Sequence, residues 1–174
     1  MPSPRRSRAW SIYLRGQYRL IRILDPLIRT VWRAFGLGNV VELRVAGRRT
    51  GRERRTLVGL LRDGSTWFVG HPNGDAAWTQ NLAAAGGGTL SVAWSAPMPF
   101  VARLLEAGPE RDRAIAATWQ HVFPGNVVYR LARRHILAVG VYFVLELIQP
   151  DDQDPVATVE VSPTSLTDRP DRSR

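Results

Sequence analysis

The first long patterned stretch of the chain has apolar residues at a helical period. Between residues 17 and 35 they recur three or four positions apart and form one stripe on a helix. The stripe comprises Leu20, Ile23, Leu24, Leu27, Ile28, Val31 and Phe35. Pro26 predicts a break or kink near Asp25, because proline lacks the N–H that a helix interior needs. We expect a basic tail over 1–16 and an amphipathic helical segment over 17–38.

Two interpretations of this helix stay open. In the first, the apolar stripe packs on the rest of the protein and the arginines beside it are solvated. In the second, the stripe lies among the acyl chains of a membrane surface and the arginines contact anionic headgroups. The first is favoured, because most amphipathic helices of globular proteins pack in that way.

After this segment the pattern changes to the period of two that is typical of strands. Val41, Leu43 and Val45 alternate with other residues and predict one buried strand face. Runs of strand composition cover 40–46, 56–62, 65–70, 88–95, 98–106 and 135–148. Turn residues at Asp63-Gly64 and at Ala96-Pro97 predict hairpins between neighbouring runs.

Two helices interrupt the strands. The first is predicted to begin at Asp75 as N-cap and to end at the glycines from Gly86 onward. The second begins at Gly108-Pro109 and is expected to turn Ile115, Trp119 and Val122 inward. The pattern indicates a mainly β (α+β) fold of about six antiparallel strands, closed into a barrel over 39–149, with the N-terminal helix and these two helices around it.

The remaining composition excludes several classes of protein. The chain has no cysteine, so disulfide frameworks and thiolate chemistry are excluded, and its three histidines lack the spacing of a metal site. No secretion signal follows the basic start, and the apolar run 136–145 is too short to span a bilayer. We expect a cytoplasmic protein, with the inner face of the cell membrane as a further place for it. The polar tail 150–174 is expected to be disordered.

Positive charge is the strongest bias in the composition. The formal net charge is +9, and every basic residue other than histidine is arginine. Arginine presents a planar fork of donors that suits phosphate and carboxylate, so an anionic partner is indicated. A nucleic acid, an anionic membrane surface or a phosphorylated cofactor all fit this bias, as does a codon preference without a function.

The stretch "VAGRRTGRERRTL" over 45–57 concentrates this charge, with five arginines within eight positions between two strand-like runs. Gly47 and Gly51 allow a tight turn that exposes backbone N–H groups. The loop is therefore an anion clamp or a solvated hairpin tip. Sequence signatures of serine hydrolases, P-loop proteins and dinucleotide-binding folds are absent.

Four short motifs in order resemble the deazaflavin-dependent nitroreductase and quinone reductase family, whose members use coenzyme F420. The motifs are Gly47-Arg48-Arg49-Thr50-Gly51 with Arg54, then Arg62-Asp63-Gly64, then Asn73-Gly74, then Ala77-Trp78 with Asn81-Leu82. Their order and spacing match the family pattern over roughly residues 40 to 92.

The resemblance implies a split β-barrel with the deazaflavin in a groove and the phosphate and carboxylate tail on the arginine loop. The implied cofactor-binding residues are Arg48, Arg49, Thr50, Gly51, Arg54, Arg55, Thr56, Leu57, Val58, Gly59, Leu60, Gly70, His71, Pro72, Asn73, Ala77, Trp78 and Asn81. Tyr129 and His71 are the candidate proton donors near the ring, and no metal is implied. This chain departs from the family pattern at Leu57, Pro72, Phe123 and Asn126.

The function implied by the resemblance is transfer of hydride from reduced F420 to a quinone or to an activated nitro or enone compound. The acceptor is a small lipophilic molecule, which a membrane-bound helix would bring within reach. Two alternatives stay open: a split-barrel protein that binds FMN, and a non-catalytic module that binds anions or membranes. We expect no nucleic acid as partner, and the sequence leaves the oligomeric state open.

Overall fold

The fold is that of a computed structural model, which describes residues 5–74 and 76–148 and, of Arg22, only the backbone. The predicted cap Asp75 and the predicted disordered tail 150–174 lie outside the described residues.

Six antiparallel strands form a closed barrel, which confirms the predicted fold class. The strands are β1 (Val40–Ala46), β2 (Glu53–Asp63), β3 (Thr66–His71), β4 (Gly87–Ser91), β5 (Met98–Leu104) and β6 (Val141–Leu147). Around the barrel they follow the order β1-β2-β3-β6-β5-β4, with β4 paired back to β1. The turn between β2 and β3 is formed by Gly64 and Ser65, one position later than predicted, because Asp63 still pairs with Thr66.

The interior of the barrel is filled by the alternating apolar residues of its strands. Val41, Leu43 and Val45 of β1 belong to this core, as their alternation predicts. Leu82 joins it from helix α2 (Ala77–Ala85), which begins at the N-cap Ala76 and ends at Gly86 in the left-handed conformation.

A second apolar layer lies outside the barrel wall, under the helices that follow β5. These are α3 (Pro109–Ala116), a 3-10 turn (Ala117–Gln120), α4 (Gly125–Leu131) and α5 (Arg133–Val139). Phe68 and Tyr142 from the strands pack here against Ile115 and Ile136 from the helices. Ile115 is buried as predicted, whereas Trp119 and Val122 are 72% and 52% exposed, because the α-helical period ends at Ala116 and a 3-10 turn follows.

The predicted long strand over 135–148 is wrong in its first half. Residues up to Val139 form α5, and only Val141–Leu147 form a strand. Short apolar runs fit a buried helix and a buried strand equally well, so their period does not separate the two. Gly140 divides the two elements, with its N–H donated to the Ile136 carbonyl at the end of the helix.

The N-terminal helix is longer than its sequence predicts. Helix α1 (Arg8–Phe35) has 28 residues, begins after the N-cap Ser7 and continues through Pro26, so the predicted break near Asp25 is wrong. Proline removes one helical hydrogen bond, and α1 has a tertiary hydrogen bond on each side of Pro26, one between Tyr18 and Tyr129 of α4 and one from Trp32 to the Val40 carbonyl of β1.

Helix α1 turns its apolar stripe away from the protein and packs on it with a face of mixed polar and apolar residues. The buried side chains are Ser11, Leu14 and Trp32. The interpretation in which the stripe packs on the sheet is therefore wrong, since most stripe residues are exposed. These are Leu20, Ile23, Leu24, Leu27 and Phe35. Because successive residues of an α-helix are rotated by about 100° around its axis, the stripe lies roughly opposite the face that carries these buried side chains.

Candidate functional site

The loop between β1 and β2 is a tight turn that projects its arginines in several directions. The Gly47 carbonyl accepts hydrogen bonds from the Thr50 N–H at 3.2 Å and from the Gly51 N–H at 2.8 Å, while the Gly47 N–H donates to the Arg52 carbonyl at 2.9 Å. Gly51 has a φ of +65°, a conformation that favours glycine. Arg54 lies just past the turn, on the first residues of β2.

A cavity of about 880 Å³ lies between this loop, α1, β2 and α2. This volume is in the range that binding sites for cofactors occupy. Most of the residues predicted from the family motifs line it. They are Arg48, Arg49, Thr50, Arg54, Arg55, Thr56, Leu57, His71, Ala77, Trp78 and Asn81.

The other predicted residues do not line the cavity. They are Gly51, Val58, Gly59, Leu60, Gly70, Pro72 and Asn73. Val58 and Leu60 point into the barrel core, because alternate residues of a strand face opposite sides. Gly70 lies against the Tyr142 ring, and the Asn73 side-chain oxygen is 3.0 Å from Nε2 of His135.

The cavity lining is strongly cationic. Among the residues that the structure describes, seven arginines and one acidic residue, Asp25, contribute to it. Arg48 is fixed to the first turns of α2, since both its backbone N–H and its guanidinium lie 3.3 Å from Oδ1 of Asn81. Arg55 pairs with Glu53 at 2.7 Å, whereas Arg52 does not line the cavity. The site therefore suits a ligand with more than one anionic group.

One wall of the cavity comes from α1, which the sequence motifs did not include. Its contributions are Arg15, Tyr18, Arg19, Ile21, Asp25, Ile28 and Arg29. Several of these recur at three- or four-residue spacing on the face opposite the apolar stripe, and that polar periodicity was the available signal.

A buried carboxylate anchors α1 beside the arginine loop. Glu42 on β1 is 3% exposed and pairs with Arg29 of α1 and, at 3.2 Å, with Arg44. The Arg29 guanidinium also donates to the Arg55 carbonyl at 3.1 Å and pairs with Asp25 at 2.6 Å. Arg29 thus joins the helix to both of the strands that carry the loop.

Two tyrosine hydroxyls meet beneath the cavity. Tyr18 of α1 and Tyr129 of α4 lie 3.0 Å apart at their oxygens, and the Tyr18 ring is 4.2 Å from the ring of His71. Tyr18 and His71 line the cavity, whereas Tyr129 does not and contacts it through Tyr18. The His121 ring also contacts the Tyr129 ring, at 4.3 Å between centroids and with a tilt of 38° between the ring planes.

Burial controls the protonation of this cluster. It raises the pKa of Tyr18 well above the ordinary value, with a further contribution from Tyr129, and it raises the pKa of Tyr129 to about 12. Burial also lowers the pKa of His121 to about 4. At neutral pH both hydroxyls are therefore protonated and His121 is uncharged, so the cluster offers hydrogen-bond donors rather than charge.

The sequence profile of the F420H(2)-dependent quinone reductase family matches residues 25–141. The chain belongs to this family. The family resemblance expected from the motifs is thereby confirmed, and the protein is an F420-dependent reductase with coenzyme F420 as its cofactor. The match includes the arginine loop, α2 and Tyr129, and it leaves the first half of α1 outside.

Solved structures with a similar arrangement are distant in sequence. An F420-H2 dependent reductase, FDR-A, has 20% identity over 62% of this chain and 94% of its own, with a TM-score of 0.46. The heme storage protein HutZ from Vibrio cholerae has 19% identity over 72% and 91%, with a TM-score of 0.47. A conserved hypothetical protein from Mycobacterium tuberculosis has 12% identity over 64% and 74%, with a TM-score of 0.47. No curated protein matches this reductase.

Proposed function

We propose that the cavity holds F420 with its anionic tail on the arginine loop, and that a quinone or an activated nitro or enone compound is the acceptor. The observation that carries this proposal is the excess of seven arginines over one aspartate among the described residues around a cavity of about 880 Å³. A phosphodiester and a glutamate tail are the kind of anions that such a lining binds. When bound, the reduced deazaflavin supplies the hydride.

The polar end of the cofactor is assigned to Arg48, Arg49 and Arg54. Arg48 is the best oriented of them, because Asn81 contacts both its backbone and its side chain. A guanidinium that is already oriented loses less side-chain entropy when it binds an anion. Thr50 adds a hydroxyl group at the same turn.

The planar ring is assigned to the aromatic part of the lining. Tyr18, His71 and Trp78 are neighbours there, with centroid distances of 4.2 Å for the first pair and 6.5 Å for the second. Aromatic side chains bury a planar ring with little loss of conformational entropy and exclude water from it. These residues would orient the ring and keep the hydride from solvent.

Titration of the pure protein with oxidised F420, followed by turnover with a panel of quinones, tests the proposal. We expect saturable quenching of tryptophan fluorescence, because Trp78 lines the cavity. Reduced F420 should then be oxidised in the presence of a quinone such as menadione. Tighter binding of FMN than of F420 would favour the FMN alternative, and binding of neither would overturn the proposal.

We also infer that the outward face of α1 binds an anionic membrane surface. Ile23 is 75% and Leu27 is 62% exposed, and the same helix carries the exposed arginines Arg8 and Arg33. An apolar stripe beside arginines fits acyl chains and anionic headgroups. No helix among the described residues is long and apolar enough to cross a membrane.

Replacing Ile23 and Leu27 together by glutamate should lower binding to phosphatidylglycerol vesicles by about tenfold or more, because two apolar anchors are lost and two like charges face the headgroups. Co-sedimentation with vesicles measures this effect. F420 affinity should not change, since neither residue lines the cavity.

Val101 and Leu104 provide the matched control, because each is 49% exposed and both lie on β5. The same double glutamate replacement there should leave vesicle binding intact. Equal losses in both variants, or no loss in either, would contradict the assignment of α1 as the membrane contact. If the wild type is a dimer and the α1 variant a monomer, with vesicle binding unchanged, this face is instead a contact between two copies. Deletion of the whole helix is unsuitable, because it removes a wall of the cavity.

A further inference from the structure

Tyr18 is the residue that the family match leaves unexplained. It lies on the first half of α1, outside residues 25–141, and yet it lines the cavity beside His71. Tyr129, the tyrosine expected to act as proton donor, lies behind it and is not part of the lining. Of the two tyrosines whose hydroxyls meet, the one that lines the cavity therefore belongs to the N-terminal helix.

The hydrogen bond between the two hydroxyls has a preferred direction. Each neutral hydroxyl carries one proton, and the bond of 3.0 Å between the oxygens uses one of the two. If Tyr18 donated, the Tyr129 proton would be buried without an acceptor among the residues that the structure describes, and an unsatisfied buried donor is costly. If Tyr129 donates, the Tyr18 proton is free to point into the cavity.

We propose that Tyr18 donates a hydrogen bond to the carbonyl oxygen of the acceptor and that Tyr129 holds it in position. This inference rests on the proposed function, because it places a quinone or enone next to the deazaflavin ring. Hydride transfer to the acceptor leaves negative charge on that oxygen, and a preoriented O–H group stabilises the charge as it develops.

The step balances without ionisation of either tyrosine. The acceptor gains two electrons and one hydrogen as hydride from reduced F420, the product anion then takes one proton from solvent water, and the oxidised deazaflavin releases one proton to solvent. Because burial raises the pKa of Tyr18, this hydroxyl keeps its proton and acts as a hydrogen-bond donor throughout. The His71 ring supports the Tyr18 ring from one side.

Tyr18→Phe tests the inference by removing one oxygen from the cavity lining. We expect F420 affinity within about twofold of the wild type and a loss of about tenfold or more in kcat/KM for menadione, as for other donors to a developing oxyanion. The binding of menadione to protein loaded with oxidised F420, measured by calorimetry, should weaken in parallel, although no hydride can be transferred in that complex.

Tyr13→Phe is the matched control, because Tyr13 is 51% exposed on the same helix and does not line the cavity. It should resemble the wild type. Tyr129→Phe should reduce kcat/KM less than Tyr18→Phe and should add nothing in the Tyr18→Phe background, since it acts only through Tyr18.

The possible outcomes separate the inference from the proposed function. A wild type that binds no F420 or reduces no quinone overturns the proposed function. A wild type that does both, with Tyr18→Phe unchanged in menadione affinity and turnover, overturns only the role of Tyr18. If Tyr18→Phe does not fold, Tyr129→Phe decides, and an unchanged affinity for menadione in that variant counts against the inference.

Discussion

Replacement of Arg48 and Arg54 together by alanine is expected to weaken F420 binding by at least 100-fold. Each charge-assisted hydrogen bond to an anion contributes about 1.5–3 kcal/mol, and two are removed. Both residues line the cavity, and Asn81 already orients Arg48. Quenching of protein fluorescence by oxidised F420 measures the change. The affinity of the wild type should also fall more steeply with added salt than that of the variant.

The control pair is Arg33 and Arg52, which removes the same charge from exposed positions outside the cavity lining. We expect an affinity for F420 within about threefold of the wild type, because exposed charges are screened. An equal loss of F420 affinity in both variants would mean that the overall positive electrostatic field of the protein attracts the cofactor, and not these two arginines. Unchanged affinity in the Arg48 and Arg54 variant would place the cofactor elsewhere.

Glu42→Ala is expected to lower the free energy of unfolding by about 2–4 kcal/mol, because loss of a buried carboxylate leaves paired arginines without a counter-charge. Glu42 is 3% exposed, and the Arg29 and Arg44 side chains remain 17% and 28% exposed, so water compensates part of the loss. Chemical denaturation measures the change. F420 affinity should fall as well, because Arg29 holds α1 against the cavity.

Glu53→Ala is the comparison for this variant, since Glu53 also pairs with an arginine, although both side chains are about half exposed. Exposed pairs contribute about 0–1 kcal/mol, so little change is expected. A double-mutant cycle between Glu42→Ala and Arg29→Met should show coupling of about 1 kcal/mol or more. Absence of coupling, or equal losses at Glu42 and Glu53, would contradict the anchoring role of this pair.

Local sequence patterns predicted those parts of the barrel in which alternation within a single strand decides which residues are buried. Val41, Leu43 and Val45 face the core because alternation requires it. The same alternation puts Glu42 on the opposite face of β1, where it pairs with Arg29 of α1. Since the contact between Arg29 and Glu42 is tertiary, no pattern in either segment predicts it. The exposed stripe of α1 was likewise visible in the sequence, but its orientation was not.

The candidate site likewise contains residues that the sequence predicts and a residue that only the tertiary structure brings to it. Arg48, Trp78 and Asn81 belong to short motifs whose spacing can be compared with a family, and all three line the cavity. Tyr18 also lines the cavity, but it belongs to no short motif. Its hydroxyl meets that of Tyr129, 111 residues further along the chain. A contact over that distance depends on how the helix is placed on the barrel.

Closure of the barrel also limits how this protein can aggregate. Each of the six strands has a partner on both sides, since β4 pairs with β1 and completes the ring. An open sheet edge offers unpaired backbone groups on which strands of other molecules can add, and that process starts many fibrils. The folded barrel presents no such edge within the described residues, so strand addition would first require a pair such as β1 and β4 to separate.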